Sequence, residues 1–398
     1  MGLKQNSTSE PFTEAVKHLQ PEGAYQTLVA ARRLEQMGRS IIHLEIGEPD
    51  FPTPKPISEA GIRAISEGKT RYTSASGLDE LKKLIAQQTS SRTGRDISQD
   101  QVVIGPGAKP FLFMTSLAIV RPGDEVIYPS PGFPSYEAMI RAAGGTPVPA
   151  TLDASNHFAL TSDTIRRRLT PRTRMIILNS PSNPTGAVIS RAEIQTIASL
   201  AIKNDLWVLS DEIYRELTYT DREYDSILSC DGMEERTIVV DGFSKSYAMT
   251  GWRLGYGVMP QPLADKVTLL LVHSVGCTAE FTQLAGITAL EAGNHECKAM
   301  RDTYRQRRDL VVDRLNQMEG IRCQSPDGAF YVFPNIRGLN RSSQTVADEL
   351  LNEAGVAVLP GTAFGKDGEG YIRLCFANSK ENLELALDRM ENWVEQLS

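Results

Sequence analysis

A lysine between two serines, Ser244-Lys245-Ser246, sits in a polar turn after an apolar run at 237–240. Arg253 follows shortly, just before a second apolar run at 254–258. An amine at the mouth of a buried strand is partly desolvated, which lowers its pKa and makes it a usable nucleophile toward carbonyls. Neighbouring hydroxyls and a guanidinium suit an anion, most naturally a phosphate. An amine beside a phosphate site points to pyridoxal 5'-phosphate, whose aldehyde forms a Schiff base with lysine while its phosphate needs an anchor. Taken alone, the same residues also read as an ordinary loop with a solvent-facing lysine.

Three further turns carry polar residues just beyond apolar runs, where ligands bind in an open α/β sheet. Gly105-Pro-Gly107-Ala108-Lys109 follows 102–104 and opens a helix with Pro110 near its first position, so free amides and the helix dipole can hold a phosphate. A dinucleotide fingerprint fails here, because Pro110 stands where the third glycine of GxGxxG belongs. Asp211 ends the run at 207–209, and a buried carboxylate there needs a partner. Against a pyridine nitrogen it would keep the ring cationic; as an N-cap it would only start the segment at Glu212. Asn183, in the turn after 175–178, and Tyr214 can hydrogen-bond the cofactor's phenolic oxygen, or serve as a turn former and a half-buried core tyrosine. Arg373 is a lone cation on the apolar stretch Tyr371-Ile-Arg-Leu-Cys375, suited to a substrate α-carboxylate or to a structural ion pair.

The elements that must position these residues alternate. Apolar runs at 102–104, 126–128, 175–178, 207–209, 238–240 and 254–258 are interleaved with helical patterns at 110–119, 133–143, 191–204 and 263–271. Such alternation predicts an α/β fold with a mostly parallel sheet covered by helices on both faces. Ser190 with Glu193 spells a capping box for the third of these helices. Upstream, residues 1–20 read as a loose arm, 25–37 and 77–89 as helices, and 41–46 as a short strand. Pro49, Pro52, Pro54 and Pro56 predict an extended crossing without regular structure. After about 294 the style changes to a long charged helix (296–317), strands near 329–333 and 370–375, a helix near 345–353 and a final helix. The expected division is an N-terminal arm and part of a small domain (1–47), a large cofactor-binding domain (48–293) and a small α+β domain (294–398).

With 398 residues, 41% hydrophobic and 23% charged, the chain has the balance of a soluble globular enzyme. The net charge of -7 and scattered basic residues argue against a nucleic-acid partner. Five widely separated cysteines without a CxxC pair, and histidines without HxxxH, announce neither a disulfide framework nor a metal site and fit a cytoplasmic protein. The N-terminal residues lack the apolar core of a secretory signal, and no apolar stretch is long enough for a membrane.

As a set, the motifs resemble the class I aminotransferases of the fold-type I pyridoxal-phosphate enzymes, of the bacterial aspartate/aromatic kind. They are Gly47-Glu-Pro-Asp-Phe51, Tyr72, Asn179-x-Pro-x-Asn183-Pro-Thr-Gly186, Asp211-Glu-x-Tyr214, Ser244-Lys-Ser, Gly251-Trp-Arg253, Asp327-Gly-Ala-Phe-Tyr331 and the arginine strand. The resemblance implies that Lys245 is the Schiff-base lysine and then the acid/base that moves the α-proton. It implies that Asp211 pairs the ring nitrogen, with Asn183 and Tyr214 on the phenolic oxygen. Gly107, Ala108, Lys109, Ser244 and Arg253 would surround the phosphate, helped by Tyr72 from a partner subunit, which implies a homodimer. Phe133 would stack on the ring, and Arg373, Asn183 and the backbone of Gly47 would hold the α-carboxylate.

The implied reaction moves an amino group from an L-amino acid to a 2-oxo acid in two half-reactions, as ping-pong kinetics require. Lys109 stands where related enzymes meet a distal carboxylate, which favours aspartate- or glutamate-type substrates. Ala108-Lys109-Pro110 and the stretch 273–280 depart from those relatives, so aromatic or other neutral substrates stay open. So do elimination, cyclisation or oxidation on the same scaffold, and a non-catalytic regulator is the reading from another class.

Overall fold

The computed structural model describes residues 12–17, 19–220 and 224–397. The N-terminal part of the expected arm, 1–11, lies outside the described residues; within the rest of it, Glu14–Lys17 is a short helix.

Seven short strands form the large sheet: β1 Val102–Gly105, β2 Glu125–Ser130, β3 Thr146–Thr151, β4 Thr173–Asn179, β5 Trp207–Asp211, β6 Thr237–Gly242 and β7 Gly255–Val258. Their order is β1-β7-β6-β5-β4-β2-β3, and all run parallel except β7, which is antiparallel to both neighbours. The continuous apolar runs exist because both faces are covered. Along β4, Ile176 and Leu178 point into one buried cluster with Ile194, Ile197 and Ala201 of the helix Arg191–Lys203. Met175 and Ile177 point the other way, into a cluster with Phe111, Leu112, Tyr136, Leu263 and Val267 from the helices Lys109–Ile119, Ser135–Ala142 and Gln261–Ser274. A third cluster packs Val102, Ile104 and Val258 against Leu81, Ile85, Ala285 and Leu290. This confirms the α/β fold with a mostly parallel, two-faced sheet.

Several expectations are corrected. Strand β3 was not foreseen: Pro147 and Pro149 break the apolar pattern, and prolines are tolerated because β3 is an edge strand. The proline-rich crossing is not irregular throughout. Lys55–Ser66 is a helix with Pro56 in its first turn, where a missing N–H costs nothing. The strand expected at 41–46 shortens to Ile42–His43, which pairs in parallel with Val356–Ala357. The capping box is half formed. Ser190 Oγ accepts from Glu193 N at 3.3 Å, but the Glu193 carboxylate turns to accept from Ser162 N at 2.6 Å.

A second, antiparallel sheet orders Leu359–Pro360, Ile372–Cys375 and Tyr331–Val332. It shares a core with the helices Asn294–Gln317 and Lys380–Glu395 and with Ile42 and Leu44 from the N-terminal segment. Backbone bonds from Gly328 N to Gly186 O (2.9 Å) and from Ala329 N to Leu217 O (2.9 Å) stitch this part to the rim of the large sheet.

One close approach fixes the rim near β1 and β7. A Cβ on Gly255 would lie 2.4 Å from Gly107 C and 2.5 Å from Ala108 N, both backbone atoms that cannot move aside. Gly255→Ala is therefore expected to destabilise the protein by about 1–3 kcal/mol. Gly251→Ala, whose Cβ meets nothing within 4 Å, is the control. Denaturant unfolding of the two variants measures the difference, and equal stability would contradict the packing described.

Candidate active site

Four rim turns converge, as the alternation predicted. Lys245 lies in the turn after β6, and its Nζ donates to Gly47 O at 2.6 Å. The amine faces the rings of Phe330 (5.7 Å) and Tyr214 (6.0 Å). Burial among these groups lowers its pKa from 10.5 to about 8.

Asp211, the last residue of β5, is buried. Its Oδ2 accepts from Tyr136 OH at 2.7 Å and its Oδ1 from Ile213 N at 3.3 Å. Both donors are neutral, and among the described residues no cationic side chain pairs with this carboxylate. Burial raises its pKa to about 6. A cation placed against it would bring that value back down and would itself be held charged. Tyr214 OH shares a 2.7 Å hydrogen bond with Tyr331 OH, and burial holds the Tyr214 phenol well above its usual pKa, so it stays protonated.

The arginine strand reaches the same place. Arg373 Nη1 donates to Asn183 Oδ1 at 3.0 Å and Nη2 to Glu45 O. Its guanidinium lies between the rings of Tyr331 (4.4 Å) and Phe364 (4.9 Å). Its Nε is buried without a hydrogen-bond partner. Among the described residues no carboxylate pairs with this guanidinium, and the orphaned Nε leaves a buried donor that a carboxylate would satisfy. Asn183 is itself fixed from behind, its N–H donating to Asn179 Oδ1 at 2.9 Å.

Across the rim, Gly107 adopts φ +96°, and a Cβ there would fall 2.5 Å from Arg253 Nη2. Only glycine lets that guanidinium lie over the start of the helix Lys109–Ile119, where Ala108 is the N-cap. Arg253 is itself left-handed (φ +54°), a conformation that costs a non-glycine residue about 1–2 kcal/mol. Its Nη1 donates to Thr250 O at 2.8 Å and its Nη2 to Pro106 O at 3.4 Å. Ser244 is buried in the neighbouring turn. The Gly107 N–H is taken by Gly105 O at 2.8 Å, so what stands here for an anion is the helix N-terminus after Ala108, the Arg253 guanidinium and the Ser244 hydroxyl.

Phe133 packs edge-to-face on Tyr136 at 5.6 Å, and so stands one ring away from Asp211. Lys109 Nζ sits 5.0 Å over the Phe133 ring. It is not free, however: it pairs with Glu22 of the N-terminal segment. Tyr72 stands apart from the cluster, 96% exposed, on a loop tied down by Thr73 N donating to Cys277 Sγ at 3.4 Å.

Sequence reasoning did not single out Tyr136, Tyr331 or Glu22 as site residues. Tyr331 lay in a quoted motif and could have been raised from it. Tyr136 and Glu22 meet their partners 75 and 87 residues away, and nothing local marks either.

An amine, a cation-seeking carboxylate, a phenol pair with an amide, and a phosphate cradle are together the donor set that pyridoxal phosphate requires. The comparisons agree. The model of "Aminotransferase class I and II" matches residues 39–390. An aromatic-amino-acid aminotransferase 2 of Thermococcus litoralis is 40% identical over 91% of this chain and 94% of that protein. An aspartate aminotransferase of Pyrococcus abyssi is 41% identical over 89% of this chain and 91% of its own length. The solved aspartate aminotransferase of Thermus thermophilus with maleate superposes with a TM-score of 0.92 at 35% identity, covering 96% of this chain and 100% of that one. The chain belongs to the class I and II aminotransferases and is a pyridoxal-phosphate-dependent enzyme of that family.

Proposed function

We propose that this aminotransferase exchanges an amino group between an L-amino acid and a 2-oxo acid, with aspartate- or glutamate-type compounds among its substrates. The observation that carries the site assignment is the buried Asp211 carboxylate, held by two neutral donors and no cation, on the same rim as the Lys245 amine. When bound, the cofactor supplies an aldehyde carbon that condenses with amines and a ring that takes up the electron pair left by loss of the α-proton.

Each residue then has a physical task. Lys245 is the amine that would hold the cofactor and, once freed, the base that would take the proton from the substrate Cα and deliver it to the former aldehyde carbon across the nitrogen. A pKa of about 8 leaves a useful neutral fraction near neutrality. Asp211 holds the ring nitrogen protonated, Tyr136 fixes the orientation of its carboxylate, and Tyr214 with Asn183 donates to the phenolic oxygen. Gly107, Ala108, Ser244 and Arg253 take the phosphate, and Phe133 covers one ring face.

Arg373 orients the substrate by its α-carboxylate. Glu45 O binds Arg373 and Gly47 O binds Lys245, so one short segment sets the distance between the carboxylate anchor and the base. That spacing is what turns a bound amino acid into a correctly presented Cα–H bond. Lys109, beyond Phe133, is the anchor for a distal carboxylate.

Two observations support a homodimer that shares its sites. Tyr72 is displayed to solvent on a loop anchored to Cys277, which together with Arg253 lines a cavity of about 720 Å³. Exposed Ile62 and Ile65 on the helix Lys55–Ser66, and Leu269, Val272 and Val275 at the helix Gln261–Ser274, are large apolar side chains of the kind that association covers. The five cysteines are all free, which supports a cytoplasmic setting in amino acid metabolism. The division into 1–47, 48–293 and 294–398 is supported by Ile42 and Leu44 packing with the helices Asn294–Gln317 and Lys380–Glu395, although the clusters also join Ile213, Tyr214, Leu217 and Tyr219 to that core and Phe333 and Tyr371 to the large sheet.

Two outcomes are expected. The rate at which apoenzyme captures the cofactor covalently should rise with pH through about 8, because only the neutral amine attacks. Borohydride followed by mass spectrometry should fix the pyridoxyl group on Lys245, and Lys245→Ala should trap none; a flat profile from pH 6 to 9, or trapping elsewhere, would contradict the assignment. Lys109→Ala should lower kcat/KM for aspartate by about 10- to 100-fold, the worth of a charge-assisted hydrogen bond, with much less effect on phenylalanine. Equal loss for both substrates in steady-state assays would remove Lys109 from the specificity site.

A further inference from the structure

Resting on the reading of Lys109 as the distal-carboxylate anchor, we infer that Glu22 is a specificity-determining residue: an internal carboxylate that occupies Lys109 and competes with dicarboxylic substrates. Four observations place it. Glu22 is the N-cap residue of the helix Gly23–Gln36, with an extended backbone, and its side chain does no capping there. Its Oε1 instead pairs with Lys109 Nζ and accepts from Ser135 Oγ at 3.0 Å. Both of those partners belong to the helix starts that flank Phe133. Phe133 leads through Tyr136 to Asp211, so the pair lies within two rings of the buried carboxylate rather than on a remote surface.

The setting leaves room for exchange. The Glu22 side chain is 25% exposed and that of Lys109 48%, so neither charge is locked in the interior. A cavity of about 620 Å³ is walled by Pro21 and Gly23, the chain neighbours of Glu22, and by Phe133 and Phe364. Phe364, on that wall, is also the ring that lies 4.9 Å from the Arg373 guanidinium. A substrate anchored at Arg373 and carrying a second carboxylate has to displace Glu22 from Lys109 to use that cation. A substrate with an aromatic or other uncharged side chain leaves the Glu22–Lys109 pair intact and packs against Phe133.

The pair therefore weighs against dicarboxylates without closing the site to them. An ion pair this exposed is weak enough to be replaced by a substrate carboxylate that arrives already oriented. It also gives the two half-reactions a single site for both side-chain types, with Glu22 moving aside for one and staying for the other.

The test uses the holoenzyme with two unreactive ligands, succinate and 3-phenylpropionate, whose dissociation constants are measured by calorimetry. In Glu22→Gln the preference for succinate over 3-phenylpropionate should rise about fivefold, the scale of one partly exposed ion pair. The kcat/KM ratio of aspartate to phenylalanine should rise with it, chiefly through KM. The gain should vanish in the Lys109→Ala background, because the competitor then has nothing to occupy. An unchanged or lowered preference, or a gain that persists without Lys109, overturns the role of Glu22. Should Glu22→Gln change nothing while Lys109→Ala still selectively impairs aspartate, the anchor stands and the competition does not.

Discussion

A lysine amine kept out of water is the constraint around which this enzyme is arranged. Placing Lys245 Nζ among Phe330, Tyr214 and a single backbone carbonyl disfavours its charged form. That desolvation is what turns an ordinary cation into a nucleophile and base, and the fold has to sustain it. The amine is sustained by position: it stands at the end of β6, in the middle of a sheet covered on both faces. Opposite it, Asp211 suffers the reverse effect, a carboxylate whose ionisation burial resists. The two groups lean toward neutrality in the absence of the cofactor, and a cationic ring supplies the charge that one of them lacks.

The second sheet contributes what the first cannot. Arg373 projects from Ile372–Cys375, and Tyr331 comes from the strand beside it. The segment after Ile42–His43 joins both parts, since its carbonyls at Glu45 and Gly47 hold Arg373 and Lys245 respectively. A shift of that segment would move the carboxylate fork and the base together. On the proposed roles of Arg373 and Lys245, substrate grip and proton transfer would be linked through a few residues of extended chain. Two left-handed residues, Arg253 and Ala248, lie near the proposed phosphate site, held by bonds to Thr250 O and from Thr53 Oγ1.

Much of this was legible in the amino-acid sequence because the central strands are buried on both faces. That burial forces uninterrupted apolar runs, and four of the six runs ended in polar turns that fall on one rim, which outweighed the structural reading each turn has alone. The rim at Lys109, Asn183, Asp211 and Lys245 could be read for that reason. What escaped reading obeys other physics. Strand β3 sits at an edge and tolerates two prolines, and Pro56 starts a helix instead of preventing one. The helix Glu280–Ala292 buries Thr282 and Gln283, which blurs its apolar stripe. Tyr136 resembles any core tyrosine until Asp211 is placed against it. Glu22 looks like a solvated charge until its helix is docked beside Phe133.

The opposed pair of Asp211 and Lys245 is the centre of the account, and Asp211→Ala tests it most directly. The measurement is the single-turnover rate of amino transfer from an L-amino acid to the bound cofactor, with no 2-oxo acid present. The account predicts that the variant still carries the cofactor covalently on Lys245, yet transfers the amino group about 10²- to 10³-fold more slowly, the scale of losing one preorganised electrostatic contact. A variant that transferred at nearly the wild-type rate would show that the buried carboxylate does not hold the ring cationic.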